Sequence, residues 1–302
     1  MNFMPDRVQR HNVPAMTPKT RQQTLSATLI LLVSQAIFGA WGVVARAIHL
    51  NGLALIFVMA LSGHLFSRAF SADLRFPIPK RSLWVGLNLF LDVLLLIYAY
   101  RHLPLALVIT IHYLGPMIVQ LVAPVVLGER PDRRQLGLAA LGFVGGALVA
   151  EPRLAAGQLL GVAAALGSAF TLAGNIILQK RRMMDIATPL RAVSEYNLVL
   201  ALFAAVSMVI DGRIGALFSH HTSMILGAIV AGIFVQGFAM FLFNYSLTKM
   251  RGTVVGIVSS SEIVFATLFG LLIYRETLDV TQVLGMCMVI YTVMQLGLLE
   301  AK

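Results

Sequence analysis

The chain has 302 residues, of which 58% are hydrophobic and only 12% are charged. A soluble globular protein carries about 25% charged residues, so most of this chain is expected to avoid water. Its lone cysteine, Cys287, excludes a disulfide framework and a cysteine-based metal cluster.

Apolar windows of membrane-spanning length follow one another along the chain. The hydrocarbon core of a bilayer is about 30 Å thick, so a spanning helix needs roughly 20 mainly apolar residues. The sequence predicts ten such helices, at 25–47, 52–70, 82–101, 104–127, 135–150, 157–178, 188–210, 222–246, 253–273 and 280–299. The connections are too short to fold as a soluble catalytic module. We therefore expect an all-α membrane protein that is not an enzyme.

Residues 1–24 read as a basic leader on the cytoplasmic side. The apolar stretch that follows is too long for the core of a signal peptide and has no small-residue cleavage site, so it is interpreted as the first spanning helix. If ten helices alternate from a cytoplasmic N-terminus, 18 of the 23 Lys and Arg residues fall in cytoplasmic segments. The positive-inside rule predicts this asymmetry. The net charge of +10 then reflects topology, with both termini cytoplasmic, and does not indicate nucleic-acid binding.

An internal repeat connects the two halves of the chain. The segment YAYRHLPLALVITIHYLGPMIVQLVAPVVLGERPDRRQ at 98–135 aligns without a gap with YSLTKMRGTVVGIVSSSEIVFATLFGLLIYRETLDVTQ at 245–282. The alignment pairs Glu129 with Glu276 near its end. Each predicted half holds five spans, and an odd number forces the halves to insert in opposite orientations. Inverted halves around a central cavity, with substrate bound near the midplane, are the plan of many secondary carriers.

The repeat, the ten spans and the two endings VVLGERPDRRQLG (126–137) and LLIYRETLDVTQVLG (271–285) resemble the EamA-domain carriers of the drug/metabolite transporter superfamily. A weaker resemblance, carried by RHLPLALVITIHYLGPMIVQL, is to amino-acid exporters of the threonine/homoserine type. The resemblance implies two five-helix EamA-like repeats, at 25–151 and 152–302. It also implies a multi-pass inner-membrane carrier that is a monomer or a weak homodimer and uses no cofactor.

Three carboxylates lie deep within predicted spans: Asp92, Glu195 and Glu262. An ionisable group within a span costs roughly 2.5–3.5 kcal/mol on insertion scales and usually faces a cavity or a partner. Asn88 lies one helical turn before Asp92, and Ser259 lies three residues before Glu262, so each carboxylate is expected to share a polar face. These residues are candidates for binding protons or substrate, and the alternative is that they hold helices together by hydrogen bonds.

The fourth predicted span contains the stretch IHYLGP, in which His112 precedes Gly115 and Pro116. Proline has no N–H and leaves free the carbonyl four residues earlier, which is that of His112. We expect a hinge at Gly115 and Pro116 that turns His112 toward the cavity, while Tyr113 points elsewhere. Imidazole titrates near pH 6.5, which suits a proton relay; a structural hydrogen bond is the alternative.

Further polar and aromatic groups could line the same cavity: Gln35, Trp41, Gln236 and Asn244. For Trp41, packing against lipid or at the interface is the competing interpretation. Glu129 and Glu276 end spans beside Arg130 and Arg275, and we expect them to form structural ion pairs.

The sequence thus favours a proton-coupled secondary active exporter of a small polar metabolite such as an amino acid, with the lipid bilayer as its solvent. Efflux of cationic drugs or quaternary amines is an alternative. A membrane enzyme acting on lipid-linked substrates is a third possibility, but the loops carry neither a metal-ligand spacing nor a glycine-rich phosphate loop.

Overall fold

The computed structural model describes residues 21–41, 48, 50–71, 78–103, 108, 111–129, 133–150, 159–185, 188–212, 215, 222–275 and 279–300. Within these ranges the chain is helical and contains no β-strand. The helices are α1 (Arg21–Gly39), α2 (Gly52–Ala69), α3 (Lys80–His102), α4 (Gly115–Val126), α5 (Arg133–Ala150), α6 (Leu159–Met184), α7 (Pro189–Ile210), α8 (Thr222–Ala231), a π-helix (Gly232–Ala239), α9 (Met240–Lys249), α10 (Gly252–Ser259), α11 (Ser261–Tyr274) and α12 (Val280–Glu300).

Six stretches of the described chain are long and apolar enough to cross a membrane: Gly52–Ala69, Lys80–Ala99, Leu159–Met184, Pro189–Ile210, Thr222–Lys249 and Gly252–Ile273. Three shorter apolar helices cover Leu25–Gly39, Gly115–Val126 and Val280–Leu296. The predicted fold class, an all-helical membrane protein, is confirmed. The count of ten spans stays a prediction.

Two of the predicted spans are broken near their middle. The ninth, predicted as one helix, divides at Ser260 into α10 and α11. In the fourth, Tyr113 and Leu114 form a turn and α4 begins at Gly115. Pro116 was expected to kink a continuous helix, but it lies in the first turn of α4. At that position the missing N–H breaks no backbone hydrogen bond.

The helix ends fall in register with the internal repeat. In the ungapped alignment His102, the last residue of α3, pairs with Lys249, the last residue of α9. Arg133 and Val280, which begin α5 and α12, pair in the same way. The turn after His112 pairs with the break at Ser260. Aligned sequences thus produce helices with aligned ends, although the breaks share no residue type.

The two halves pack through helices that correspond in the repeat. α2 packs against α7, and α5 packs against α12. The second contact depends on glycine, because a Cβ added to Gly285 would lie 2.4 Å from the carbonyl oxygen of Gly145. Small residues of this kind let membrane helices approach closely.

An eight-residue segment next to α2, Gly232–Ala239, is wound as a π-helix. A Cβ on Gly232, its first residue, would lie 2.6 Å from the carbonyl oxygen of Met59, so α2 and the π-helix touch backbone to backbone. The amide of Asn197 donates to the carbonyl oxygen of Gln236 at 2.8 Å. Side chains of neighbouring helices thereby satisfy backbone groups that the wider winding leaves available.

One end of the bundle, here termed the basic face, brings together the start of α3, α7 and α10 and the end of α6 and α9 through the contacts of Lys180, Arg182 and Glu129. Lys180 of α6 is buried there and donates to the carbonyl oxygens of Leu247 and Met250, both at 2.7 Å. Glu129 accepts hydrogen bonds from the backbone N–H groups of Gly252 at 2.6 Å and Thr253 at 3.1 Å. A cation thus neutralises the C-terminal end of α9 and an anion the N-terminal end of α10.

The structure thus gives Glu129 two backbone N–H groups as partners, which the sequence did not indicate. Its ion pair with Arg130 stays a prediction, because Arg130, like Glu276, lies outside the described residues. Further contacts join the halves at the basic face: Arg181 donates to the carbonyl oxygen of Val126 at 2.9 Å, and Arg81 pairs with Asp185.

Replacing Lys180 with methionine tests the cap on α9. The substitution keeps the aliphatic stem but leaves two buried carbonyl oxygens without a charged donor, so we expect a loss of about 2 kcal/mol in the free energy of unfolding. The measurement is equilibrium unfolding in mixed detergent micelles. Lys249→Met is the control: its ammonium lies 5.6 Å from the ring of Tyr245, and the expected loss is below about 1 kcal/mol. Equal losses in both variants would contradict a capping role.

Candidate functional site

Asp92 lies near the middle of α3 and its side chain is buried against α6. The hydroxyl of Thr171 donates to its Oδ1 at 2.6 Å, and the amide of Asn175 reaches its Oδ2 at 3.4 Å. Asn88, one turn earlier, donates to the carbonyl oxygen of Thr171 at 2.8 Å and to Oδ1 of Asn175 at 2.7 Å. Asn88 therefore holds in place the two residues that contact the carboxyl group.

The Thr171 hydroxyl has two acceptors but only one proton. Its oxygen lies 2.6 Å from Asp92 Oδ1 and 2.9 Å from the carbonyl oxygen of Ser168. A hydroxyl donates one hydrogen bond and accepts others. It therefore donates to Asp92 when that group is ionised, and it is free to donate to Ser168 when the carboxyl carries a proton of its own.

Glu262 lies in the first turn of α11, directly after the break at Ser260. A side-chain hydrogen bond joins it to Tyr113, and it lies near enough to Asp92 for the two carboxyl groups to interact electrostatically. A carboxylate in the first turn of a helix is favoured by the exposed N–H groups there. Ser259, expected beside Glu262, instead donates to the carbonyl oxygen of Val255 at 2.8 Å.

His112 is half-buried at the break before α4, and its Nδ1 lies 3.0 Å from the hydroxyl oxygen of Ser168. That hydroxyl is 2.7 Å from the carbonyl oxygen of Ala165. Because the Ser168 hydroxyl has one proton, donation to Ala165 makes Nδ1–H of the imidazole the donor to Ser168. His112 and Asp92 thus contact successive turns of α6.

Glu195 lies apart from this group, in an ion-pair cluster at the basic face. Its Oε2 is 3.0 Å from Arg182 Nη2 and its Oε1 is 2.8 Å from Arg191 Nε. Ser82 donates to Oε2 at 2.5 Å. Ser82 is ten residues before Asp92, roughly 15 Å along the helix. Three donors from α3, α6 and α7 occupy the carboxylate, an arrangement that joins helix ends.

The remaining candidates fall at separate places in the fold. Asn244 is fully buried and donates to Gln179 at 2.8 Å, which joins α9 to α6. Trp41 packs in an apolar cluster between α1, α2 and α8. Gln236 lies within the π-helix, and its side-chain oxygen is buried without a hydrogen-bond partner. The amide nitrogen of Gln35 on α1 is likewise buried without a partner.

Four residues of the site were missed by the sequence reasoning: Thr171, Asn175, Ser168 and Tyr113. Thr171 and Asn175 are four apart on α6, the same spacing as Asn88 and Asp92 on α3, and this pattern could have identified them. Tyr113 was expected to point away, but it is buried and bonded to Glu262.

Each interior carboxyl group is hydrogen-bonded by the other half of the chain. Asp92 belongs to the first half and is bonded by Thr171 and Asn175 of the second. Glu262 belongs to the second half and is bonded by Tyr113 of the first. A relative movement of the halves must therefore break or exchange both sets of bonds.

Replacing Glu195 with glutamine tests its assignment to the ion-pair cluster. The buried guanidinium of Arg182 and the half-buried guanidinium of Arg191 would lose this carboxylate, so we expect the free energy of unfolding to fall by about 3 kcal/mol. Transport per folded molecule should stay close to that of the unmodified protein. Unfolding in mixed micelles and flux normalised to folded protein in vesicles measure the two quantities. Unchanged stability with abolished flux would return Glu195 to the transport site.

Comparison with known proteins identifies a matching family and a solved structure with a similar fold. The sequence model of the EamA-like transporter family matches residues 25–150 and again residues 159–297. Among the solved structures, one described only as the crystal structure of a protein superposes with a TM-score of 0.77 at 17% identity, covering 91% of this chain and 99% of its own. The search of curated proteins found no match.

Proposed function

Because the chain belongs to the EamA-like transporter family, whose members carry solutes across membranes, we propose that it is a proton-coupled secondary active transporter that exports a small polar metabolite, such as an amino acid, across the inner membrane. The observation that carries this proposal is the crossed bonding of Asp92 and Glu262, each held by the opposite half of the chain.

The crossed bonds link protonation to movement. An ionised carboxylate in an apolar interior needs its donors, because burying an unpaired charge is very costly. A protonated carboxyl group is neutral and can release them at far lower cost. Protonation of Asp92 and Glu262 therefore allows the halves to move. Deprotonation favours either the bonded arrangement or the binding of a cationic ligand.

The hydroxyl of Thr171 supports this mechanism at Asp92. When Asp92 is ionised, Thr171 donates to it, and the carbonyl oxygen of Ser168 loses the hydrogen bond from this hydroxyl. When the carboxyl group carries a proton, Thr171 can turn to Ser168. The geometry accommodates both protonation states with the same residues.

The broken helices support a binding site at the same depth. Discontinuous helices at the midplane of carriers present free backbone groups to substrate and coupling ions. The breaks before α4 and α11 correspond in the repeat, and they carry His112 and Glu262.

A second candidate, transport of an organic cation, is favoured by one observation. Lys and Arg occur in the predicted spans only within a turn of their ends, and Glu195 is already neutralised by two arginines. Asp92 and Glu262 therefore present negative charge without a deep Lys or Arg to receive a substrate carboxylate.

Substitution of Asp92 and Glu262 tests the coupling. We expect Asp92→Asn and Glu262→Gln each to lower proton-driven flux by at least about tenfold, equivalent to 1.4 kcal/mol of barrier. The reason is that an amide side chain does not bind and release a proton near neutral pH. The measurement uses proteoliposomes containing a pH-sensitive dye, with L-threonine and tetraethylammonium as probes. Proton release with L-threonine supports the metabolite assignment, and release with tetraethylammonium supports the cation.

The matched control is Asp211→Asn, which removes a carboxylate from the end of α7. It should leave flux unchanged. Normal coupling by the double variant of Asp92 and Glu262 would reduce both residues to structural hydrogen bonds.

Opposite orientation of the halves gives a topological prediction. In a Cys287→Ser background, a cysteine at position 133 should react with a membrane-impermeant maleimide added from the cytoplasmic side, and one at position 279 from the other side. Both positions begin or precede the last helix of a repeat. Labelling of both from one side would contradict the inverted arrangement and the cytoplasmic placement of the termini.

A further inference from the structure

We infer that Tyr113 is a positioning residue that ties the ionisation of Glu262 to the helix break before α4. This inference rests on the proposed function, since it assigns a role within the same proton-coupled site. It concerns a residue of the first half that acts on a carboxyl group of the second.

Tyr113 is placed for this role by packing as well as by its hydroxyl. Its ring is 8% exposed and lies in an apolar cluster with Val149 of α5 and Ile263 of α11. Ile263 is the residue directly after Glu262. The cluster fixes the ring, and the side-chain hydrogen bond joins it to Glu262. A phenol held in this way is a preorganised donor for a carboxylate.

The neighbouring residue contacts a different helix. The rings of His112 and Tyr113 are 5.6 Å apart between centroids and nearly perpendicular, at 86°. His112 bonds to Ser168 on α6, one turn before the Thr171 hydroxyl that bonds Asp92. Two consecutive residues at one break therefore contact the surroundings of both carboxyl groups.

The turn at Tyr113 and Leu114 is the element that would respond. The backbone N–H of Leu114 bonds to the carbonyl oxygen of Ile111 at 3.0 Å, and α4 starts afresh at Gly115. Gly115 packs closely on α6, since an added Cβ would lie 3.0 Å from the carbonyl oxygen of Ala169. A change in the Tyr113–Glu262 bond would thus act on a break that is already seated against α6.

Other ionisable groups around α11 are accounted for. The charge of Glu262 acts on Asp92 of α3. The helices packed on α11 are α1, α5, α10 and α12. In the described residues they carry Arg21 at the start of α1, Arg133 and Arg134 in the first turn of α5, and Cys287, Tyr291 and Glu300 on α12, of which Cys287 and Tyr291 are exposed. The phenol of Tyr113, which is hydrogen-bonded to Glu262, is therefore the contact to vary.

A double-mutant cycle between Tyr113→Phe and Glu262→Gln tests the inference. The readout is the midpoint temperature of unfolding of the full chain in detergent, measured from pH 5 to pH 9 without any substrate. We expect Tyr113→Phe to move the pH dependence of this midpoint by about one pH unit, the effect of one hydrogen bond to a charged group. In the Glu262→Gln background the same substitution should produce no such shift, because residues that act as a unit are non-additive.

Tyr196→Phe is the matched control. Tyr196 is fully buried on α7 and its hydroxyl has no hydrogen-bond partner. Its substitution should not change the pH dependence of the midpoint temperature in either background.

Three results would overturn the inference: an equal effect of Tyr113→Phe with and without Glu262, a pH dependence identical in the unmodified protein and in Glu262→Gln, or a Tyr113→Phe protein that cannot be recovered in either background, which would indicate packing alone. Because the cycle uses no substrate, it fails separately from the proteoliposome assay. Absence of proton-coupled flux in the unmodified protein would overturn the proposed function.

Discussion

A carboxyl group in an apolar interior can be charged only where the protein supplies its donors, and the arrangement of this site depends on that constraint. Asp92 finds Thr171 and Asn175 on α6, and Glu262 finds Tyr113 at the break before α4. In both cases the donors come from the other half of the chain. The interface between the halves is thus held in part by two carboxyl groups, which become weaker hydrogen-bond acceptors when they are protonated.

The other buried polar groups differ from this pair in being neutralised or neutral. Glu195 has two guanidinium partners, Lys180 two carbonyl oxygens, and Asn244 an amide partner. The amide of Gln120 donates to the carbonyl oxygen of Thr253 at 2.7 Å, next to the start of α10. Such bonds hold helix ends and helix pairs in place. Among the three deep carboxyl groups that the sequence identifies, Glu195 has two guanidinium partners in addition to the Ser82 hydroxyl, whereas the hydrogen bonds to Asp92 and Glu262 come from neutral groups. Protonation therefore changes the strength of the hydrogen bonds at Asp92 and Glu262 most.

The sequence predicted the class of fold well because hydropathy and repeat register are local properties. The ends of α3 and α9 and the starts of α5 and α12 coincide in the repeat. The break at Ser260 was not predicted, since the stretch around it has no proline or other local signal that ends a helix. For the site, the deep carboxyl groups could be identified from their cost in a membrane. The partners of each carboxyl group could not, because they lie on helices distant in the chain, and Glu195 could not be told from Asp92 until Arg182 and Arg191 were located beside it.

The cap on α10 has a consequence for how the two repeats depend on each other. Glu129 follows α4 in the first repeat, yet the N–H groups it satisfies belong to Gly252 and Thr253 in the second. The N-terminal end of α10, in the second repeat, is thus capped by a carboxylate of the first repeat. The second half alone would lack the anion that satisfies these two N–H groups. Removing Glu129 from one repeat is therefore expected to destabilise the first turn of a helix in the other.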